Sequence, residues 1–185
     1  ILSMILYHGS DKQIPTPEWG KGNPRNDYGQ GFYCTESLEL AKEWACQKNT
    51  DGYANQYELN TQGLDVLDLS QEPFNLLHWL TILMQNRVFS PKAPIGKQNL
   101  QFLTDRFHLD YQQYDIIRGY RANDSYFSFA SDFLENIIPV QNLASSMKLG
   151  SLGLQTVLKS KKSFERLTFV KTIFSPKEKY YSKYK

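Results

Sequence analysis

The sequence predicts a mixed α+β fold in a single domain. Several short segments are rich in apolar, aromatic or β-branched residues and end at glycine or polar residues, which is typical of strands. Between them lie segments whose apolar residues recur at helical spacing. Short strands with interspersed helices, in a chain of 185 residues with 41% hydrophobic content, indicate one α+β core.

The predicted strands are distributed along the whole chain. The first covers residues 4–8 and the second residues 32–35, and a loop rich in proline and glycine separates them. Residues 56–59 and 64–69 are predicted as two strands joined by the turn at residues 60–63. Further strands are predicted at residues 114–119, 154–159 and 167–174.

The predicted helices alternate with these strands. Ser37 is a suitable N-cap for the first, whose apolar face consists of Leu38, Ala41, Trp44 and Ala45. Glu72-Pro73 is predicted to open an apolar helix over residues 74–87, and a second helix follows near 100–107. Together they form a helical insert at about residues 72–110. Shorter helices are predicted at residues 127–136, 139–147 and 160–167.

The charge distribution limits the kinds of partner. The net charge is +2, and charged residues are spread along most of the chain, so the overall field does not argue for nucleic acid. The C-terminal region is basic, and residues 176–185 are predicted as a basic tail after a single domain at residues 4–175. Such a tail is usually solvated, but a polyanionic partner stays open.

The cysteine count and the hydropathy indicate a cytoplasmic protein. Cys34 and Cys46 are the only cysteines, and no Cys-x-x-Cys motif or Cys/His cluster occurs. This usage fits a reducing compartment and argues against a structural zinc site. No run of 18 apolar residues and no signal-peptide pattern is visible, so no association with a membrane is expected.

Two glycine-containing segments carry the functional signal. The first is Leu6-Tyr7-His8-Gly9-Ser10, and the second runs from Asn26 to Thr35 with Gly29 and Gly31 on either side of Gln30. Glycine there permits a positive φ or the close approach of a ligand. Taken alone, a Gly-x-Gly pair fits an ordinary hairpin as well as the edge of a pocket.

The two segments together resemble the ADP-ribosyltransferase superfamily, in the branch shared by diphtheria toxin and the poly(ADP-ribose) polymerases. In that branch the first strand ends in His-Gly-(Ser/Thr) and the second contains Gly-x-Gly-(Ile/Phe)-Tyr. His8-Gly9-Ser10 and Gly29-Gln30-Gly31-Phe32-Tyr33 match both, and Trp44 follows Tyr33 by the eleven positions that separate the two stacking aromatics. From about residue 6 to residue 169, the chain also looks like a bacterial family of uncharacterised proteins placed in this superfamily.

The resemblance implies a split β-sheet core and a site for NAD. It implies that His8 bonds the adenosine ribose, that the backbone of Gly9 bonds the nicotinamide carboxamide, and that Tyr33 and Trp44 stack on nicotinamide. The loop at residues 10–27 would lie over the pyrophosphate, with Arg25 placed to meet phosphate. For Arg25 an ordinary surface role is equally open. The residues expected to bind NAD are His8, Gly9, Ser10, Arg25, Gly31, Tyr33 and Trp44.

Two departures from the resembled pattern weaken the expected chemistry. Ala41 stands where the family has a serine that bonds the carboxamide. Gln155 stands where polymerase-type members have a glutamate, and an amide cannot act as a base. By position in the resembled pattern, the expected catalytic residues are still His8, Tyr33 and Gln155. Asp124 or Asp132 could supply the missing carboxylate, although a solvated surface carboxylate is the simpler interpretation of each.

The resulting hypothesis is a mono-ADP-ribosyltransferase that uses NAD as its substrate, without a metal. It would transfer ADP-ribose to a protein or nucleic-acid acceptor and release nicotinamide, as bacterial toxins do, and a toxin would require an antitoxin partner. Chain elongation is not expected without the glutamate. Two alternatives stay open: an NAD glycohydrolase, and a non-catalytic module that binds NAD or ADP-ribose.

Overall fold

A computed structural model describes residues 2–122, 124–136, 139, 142 and 153–184. The strands within this part of the chain are β1 (Ser3–Ser10), β2 (Phe32–Cys34), β3 (Gly52–Asn60), β4 (Val66–Asp68), β5 (Ile116–Tyr120), β6 (Leu154–Leu158) and β7 (Leu167–Ser175). The helices are α1 (Leu38–Ala45), α2 (Leu76–Asn86), α3 (Pro94–Phe107), α4 (Asp124–Leu134), α5 (Lys161–Glu165) and α6 (Lys177–Tyr184). A 3₁₀ turn covers Tyr111–Gln113. The predicted α+β class is confirmed.

The strands form two sheets that meet at one point. The first sheet has the order β1-β3-β7 and is antiparallel, and the second has the order β2-β6-β5-β4, in which only β4 and β5 are parallel. Between the sheets, Tyr7 and Thr35 exchange backbone hydrogen bonds of 2.8 and 2.9 Å. The end of β1 therefore lies directly beside the end of β2.

Two apolar clusters pack on opposite faces of β2. Phe32 and Cys34 face the smaller cluster, which contains Leu6 and Leu158. Tyr33 faces the larger one, which is built around α2 and includes the fully buried Trp79. Because side chains alternate along a strand, Tyr33 points to the opposite side from its two neighbours.

Three predicted element boundaries require correction. Residues 60–63 do not connect paired strands, because β3 belongs to the first sheet and β4 to the second. Helix α2 begins after Asn75, which caps it, and not at Phe74 as predicted. Helix α3 begins at Pro94, six residues before the predicted start. The helix predicted at 139–147 lies outside the described residues, apart from positions 139 and 142.

The C-terminal segment that the sequence predicts as a basic tail contains helix α6. Tyr180 on this helix is only 1% exposed, and its hydroxyl donates a 3.0 Å hydrogen bond to Glu39 on α1. A buried aromatic side chain anchors the segment despite its lysines. None of the helices in the described part of the chain has the length and apolar character needed to cross a membrane.

Candidate functional site

The junction between the sheets brings His8 next to β2. Its Nδ1 donates a 2.7 Å hydrogen bond to the carbonyl oxygen of Tyr33, and its ring stacks on Phe32 at a centroid distance of 4.3 Å. Burial lowers the pKa of His8, and the bond to the Tyr33 carbonyl opposes this shift only in part. The imidazole is therefore neutral at pH 7, with Nδ1 protonated, so Nε2 can accept a hydrogen bond.

Tyr33 is held by the glycine loop that precedes it. Its hydroxyl donates a 2.6 Å bond to the carbonyl of Gly29 and accepts a 3.0 Å bond from the backbone N–H of Tyr28. Burial raises the pKa of this phenol far above its usual range, so Tyr33 stays neutral. Its hydroxyl organises the loop, which leaves the ring as the part that could contact a ligand.

The two glycines of this loop have different roles. Gly29 has φ +76°, as the prediction of a glycine-specific conformation required. Gly31 lies against β6, where a Cβ would come within 2.6 Å of Val157 Cγ1 and 2.9 Å of the Leu158 carbonyl. The first glycine serves the turn and the second serves the close approach of two strands.

Gly9 and Trp44 are in close contact. A Cβ on Gly9 would lie 2.0 Å from the Ala41 carbonyl oxygen and 2.9 Å from Trp44 Cβ, so only glycine lets β1 approach α1 this closely. Trp44 is 8% exposed, and the Arg121 guanidinium lies 5.1 Å from its ring centroid. Its indole Nε1 is buried and has no hydrogen-bond partner among the described residues.

Gln155 belongs to a buried polar network centred on Asp27. Gln155 Nε2 donates a 2.9 Å bond to Asp27 Oδ2, which also accepts a 3.0 Å bond from the Ala122 backbone N–H. Asp27 Oδ1 lies 3.4 Å from Arg87 Nη1. We refer to Asp27, Arg87, Ala122 and Gln155 as the Asp27 network. It links the loop before β2 to α2, to β6 and to the end of β5.

The carboxyl group of Asp27 is buried and accepts hydrogen bonds from N–H groups. Desolvation raises the pKa of its carboxyl group, and the bonds from Ala122, Arg87 and Gln155 oppose that shift. Every polar neighbour in the Asp27 network is an N–H group, so the network is matched to the charged, acceptor-only form. Desolvation outweighs these bonds, so the pKa of the Asp27 carboxyl group is raised above its ordinary value. This carboxyl group lies within hydrogen-bond distance of the amide of Gln155.

The same network orients the amide of Gln155. Nε2 faces Asp27 at 2.9 Å and the carbonyl of Tyr120 at 3.4 Å, so both of its protons have acceptors. Oε1 has no donor among the residues that the structure describes, and it is the atom that could accept a hydrogen bond from a ligand.

The junction places β1, β2 and β6 side by side. Tyr7 is paired with Thr35, and Cys34 is paired with Thr156, so Thr35 and Gln155 each lie one residue beyond the last β2–β6 pair. Adjacent strands are about 4.8 Å apart, so the backbones of β1 and β6 are separated here by roughly 10 Å. His8, Gly9, Tyr33 and Gln155 lie on these three strands, and Trp44 packs against Gly9. The His8 ring stacks on Phe32, on the face of β2 opposite to the Tyr33 ring.

Arg25 and Ser10 are less closely tied to this group. Arg25 is exposed in the loop, and only its backbone N–H is fixed, by a 2.9 Å bond to Asn23 Oδ1. The Ser10 hydroxyl lies 3.4 Å from Asp11 Oδ1 and accepts a 3.1 Å bond from the backbone of Lys12. Both residues stay predictions as ligand contacts.

The long loop between β1 and β2 is fastened at several points. Asn55 Oδ1 accepts a 2.8 Å bond from the Ile14 N–H, and Tyr57 donates a 2.6 Å bond to the Ile14 carbonyl. Further along, Gln30 Nε2 donates a 2.8 Å bond to the Gly20 carbonyl. The loop therefore has a defined path beside the site without any regular secondary structure.

Asp27 is not among the predicted site residues. The carboxylates predicted as replacements are Asp124 and Asp132, whereas the residue bonded to Gln155 is Asp27. Asp132 is half-buried on α4, and the side chain of Asp124 lies outside the described part. The available signal was an acidic residue directly before Tyr28 and the glycine loop, in a segment predicted to border the site.

Comparison with known proteins gives the family and no closer relative. No curated protein and no solved structure matches the chain. A family model described as "Protein of unknown function (DUF3990)" matches residues 4–169, which include every residue of the Asp27 network and the row of β1, β2 and β6. On that match, the chain belongs to the DUF3990 family.

Proposed function

We propose that the protein is an NAD-dependent mono-ADP-ribosyltransferase. The observation that carries the proposal is that β1, β2 and β6 meet where His8 bonds the Tyr33 carbonyl and Gln155 bonds the Asp27 carboxylate. These residues come from four separate segments. Their motifs resemble those of the ADP-ribosyltransferases, and the split sheet is compatible with that fold.

The hydrogen-bonding groups left open at the site match those of an NAD molecule. His8 Nε2 and Gln155 Oε1 are acceptors, which suit ribose hydroxyl groups. The buried indole N–H of Trp44 is a donor without a partner among the described residues, which suits the carboxamide oxygen of nicotinamide. In this proposal Trp44 compensates on α1 for the absence of a serine at position 41.

Asp27 supplies the electrostatic part of the mechanism. Cleavage of the nicotinamide–ribose bond develops positive charge at the anomeric carbon, and a fixed negative charge nearby stabilises that transition state. Gln155 would bond a hydroxyl of the same ribose through Oε1, while its Nε2 is held by Asp27. The carboxylate acts through the amide, so Asp27 is a positioning residue in this scheme.

Release of nicotinamide from NAD by the purified protein tests the proposal. We expect release by the wild type, loss of more than about 90% of the rate in His8→Ala and in Gln155→Ala, and an unchanged rate in His108→Ala, which removes an exposed histidine from the helical insert. Circular dichroism checks that each variant is folded. A protein that neither consumes NAD nor gains thermal stability from it would overturn the proposal.

The two alternative functions give different results in the same experiment. Nicotinamide release without transfer of labelled ADP-ribose to any acceptor would indicate a glycohydrolase. Thermal stabilisation by NAD without turnover would indicate a binding module. Transfer of label to a protein or nucleic acid, lost in His8→Ala, is the result that we expect.

A further inference from the structure

A second site lies at the opposite end of the β2–β6 pair. It is an open cleft of about 550 Å³, which is within the size range of small-molecule sites. We call it the Lys159 cleft; its lining includes Trp19, Gln30, Gln112, Lys159, Lys161 and Phe164. Lys159 is four residues beyond Gln155, so the two are separated by about 13 Å along the strand direction.

The ammonium group of Lys159 at the centre of this cleft is bonded to neutral groups. Lys159 Nζ donates hydrogen bonds of 2.6 and 2.5 Å to the carbonyl oxygens of Tyr28 and Gln30. No carboxylate pairs with it among the described residues, and no acidic side chain lines the described part of the cleft. Desolvation lowers the pKa of Lys159 to about 8. A partly buried cation bonded only to neutral groups is favourable for an anionic ligand.

An aromatic ring borders the same cleft in a fixed position. Trp19 is 56% exposed, yet its Nε1 donates a 3.0 Å bond to the carbonyl oxygen of Lys159. The indole is thereby held beside the lysine while much of its surface stays open. Exposed aromatic rings next to cations are typical of sites in which a nucleobase stacks and a phosphate is neutralised.

We propose that the Lys159 cleft binds a nucleotide unit, with the base on Trp19 and the phosphate near Lys159 and Lys161. The unit could be a free nucleotide or one residue of a single strand, since both present the same base and phosphate. The amides of Gln30 and Gln112 provide further polar groups at the wall. This proposal does not depend on the use of NAD, because it rests on a different set of side chains.

Binding is tested without NAD, using adenosine 5′-monophosphate, adenosine, inorganic phosphate and a single-stranded tetranucleotide. We expect the monophosphate to bind more tightly than adenosine or phosphate, and to quench tryptophan fluorescence through Trp19, since Trp44 and Trp79 are buried. Calorimetry should show a loss of affinity of about tenfold in Trp19→Ala. Lys161→Gln should weaken binding and reduce its salt dependence.

Matched variants distinguish this site from the one proposed for NAD. Lys171→Gln removes an exposed lysine on β7 and should leave the affinity unchanged. His8→Ala, at the residue expected to bond the adenosine ribose of NAD, should leave it unchanged as well. A tetranucleotide that binds at least tenfold more tightly than the monophosphate would identify a nucleic-acid strand as the ligand; equal affinities would identify a free nucleotide. The proposal is overturned if neither ligand binds, if Trp19→Ala and Lys161→Gln leave binding unchanged, or if His8→Ala abolishes it.

Discussion

The two ends of the β2–β6 pair differ in how an ionisable group is bonded: Asp27 is buried at one end, and Lys159 is partly buried at the other. At one end, Asp27 is 8% exposed and both of its oxygens are met by N–H donors, one of them on Arg87. At the other end, the Lys159 ammonium is bonded to two carbonyl oxygens and has no carboxylate partner among the described residues. Asp27 therefore has a counter-ion in Arg87, whereas Lys159 has none in the described part of the chain.

This difference separates a structural charge from one that can attract a ligand. A buried charge that is fully bonded is costly to remove, because its partners lose their acceptor. A buried charge without a counter-ion costs stability in the free protein, and a bound counter-ion can recover that cost. We therefore expect substitutions in the Asp27 network to weaken the fold, and substitutions at Lys159 to weaken ligand binding more than the fold.

The largest effect is expected for Asp27→Ala. This change leaves the Ala122 N–H, the Gln155 amide and Arg87 without their shared acceptor, and breaking a buried ion pair of this kind typically costs about 3 kcal/mol or more. Urea unfolding followed by circular dichroism measures the loss.

Asp11→Ala is the matched control for that measurement. Asp11 pairs with Lys48 at 3.2 Å on the surface, where such a pair contributes less than about 1 kcal/mol. Equal losses of unfolding free energy in the two variants would show that burial of the Asp27 network adds nothing to its stability.

A second, pH-dependent effect is expected for Gln155→Glu. The new carboxyl group would face Asp27, whose Oδ2 lies 2.9 Å from the present Nε2, so the two groups could not both ionise without strong repulsion. One pKa of the pair would be raised above its unfolded value near 4.3. The folded variant would then bind more protons than the unfolded one, and its stability would fall as the pH rises through that interval.

Unfolding of Gln155→Glu and of the wild type at pH 5 and pH 8 tests this expectation. The deficit of the variant should be larger at pH 8, and its nicotinamide release should not exceed that of the wild type. A variant that releases nicotinamide faster would instead indicate that Gln155 is simply a glutamate site with lost activity, and that Asp27 does not replace the carboxylate.

The sequence predicted a helix cap, a buried helix face and a turn glycine correctly, because neighbouring residues determine these features. Ser37 caps α1 as expected, with its hydroxyl oxygen accepting a 3.2 Å bond from the Leu40 N–H, and Ala41, Trp44 and Ala45 form the buried face. The positive φ of Gly29 likewise followed from its place in a turn.

The prediction was less accurate where distant segments decide the structure. Helix α3 begins earlier than predicted, and just before it the backbone N–H groups of Lys92 and Ala93 donate bonds of 2.6 and 3.2 Å to Glu135, more than 40 residues away. The turn at residues 60–63 gives no information on which sheet its flanking strands join. The pairing of Asp27 with Gln155 is equally invisible, because 128 positions separate the two residues.

The smallest expected effect concerns the pH dependence of stability at Lys159. Its pKa in the folded protein is about 8, below the ordinary lysine value of 10.5, because burial disfavours the ammonium. Between these two values the unfolded chain binds more protons than the folded one, so this residue increases the stability of the protein as the pH rises from about 8 to about 10.5. Lys159→Met should remove that increment, whereas Lys171→Met, on the exposed face of β7, should retain it.

The measurement is urea unfolding of the three proteins at pH 7.5 and pH 10. If the wild type and Lys159→Met respond equally to pH, the ammonium of Lys159 is not desolvated, and the electrostatic argument for an anion in the Lys159 cleft fails.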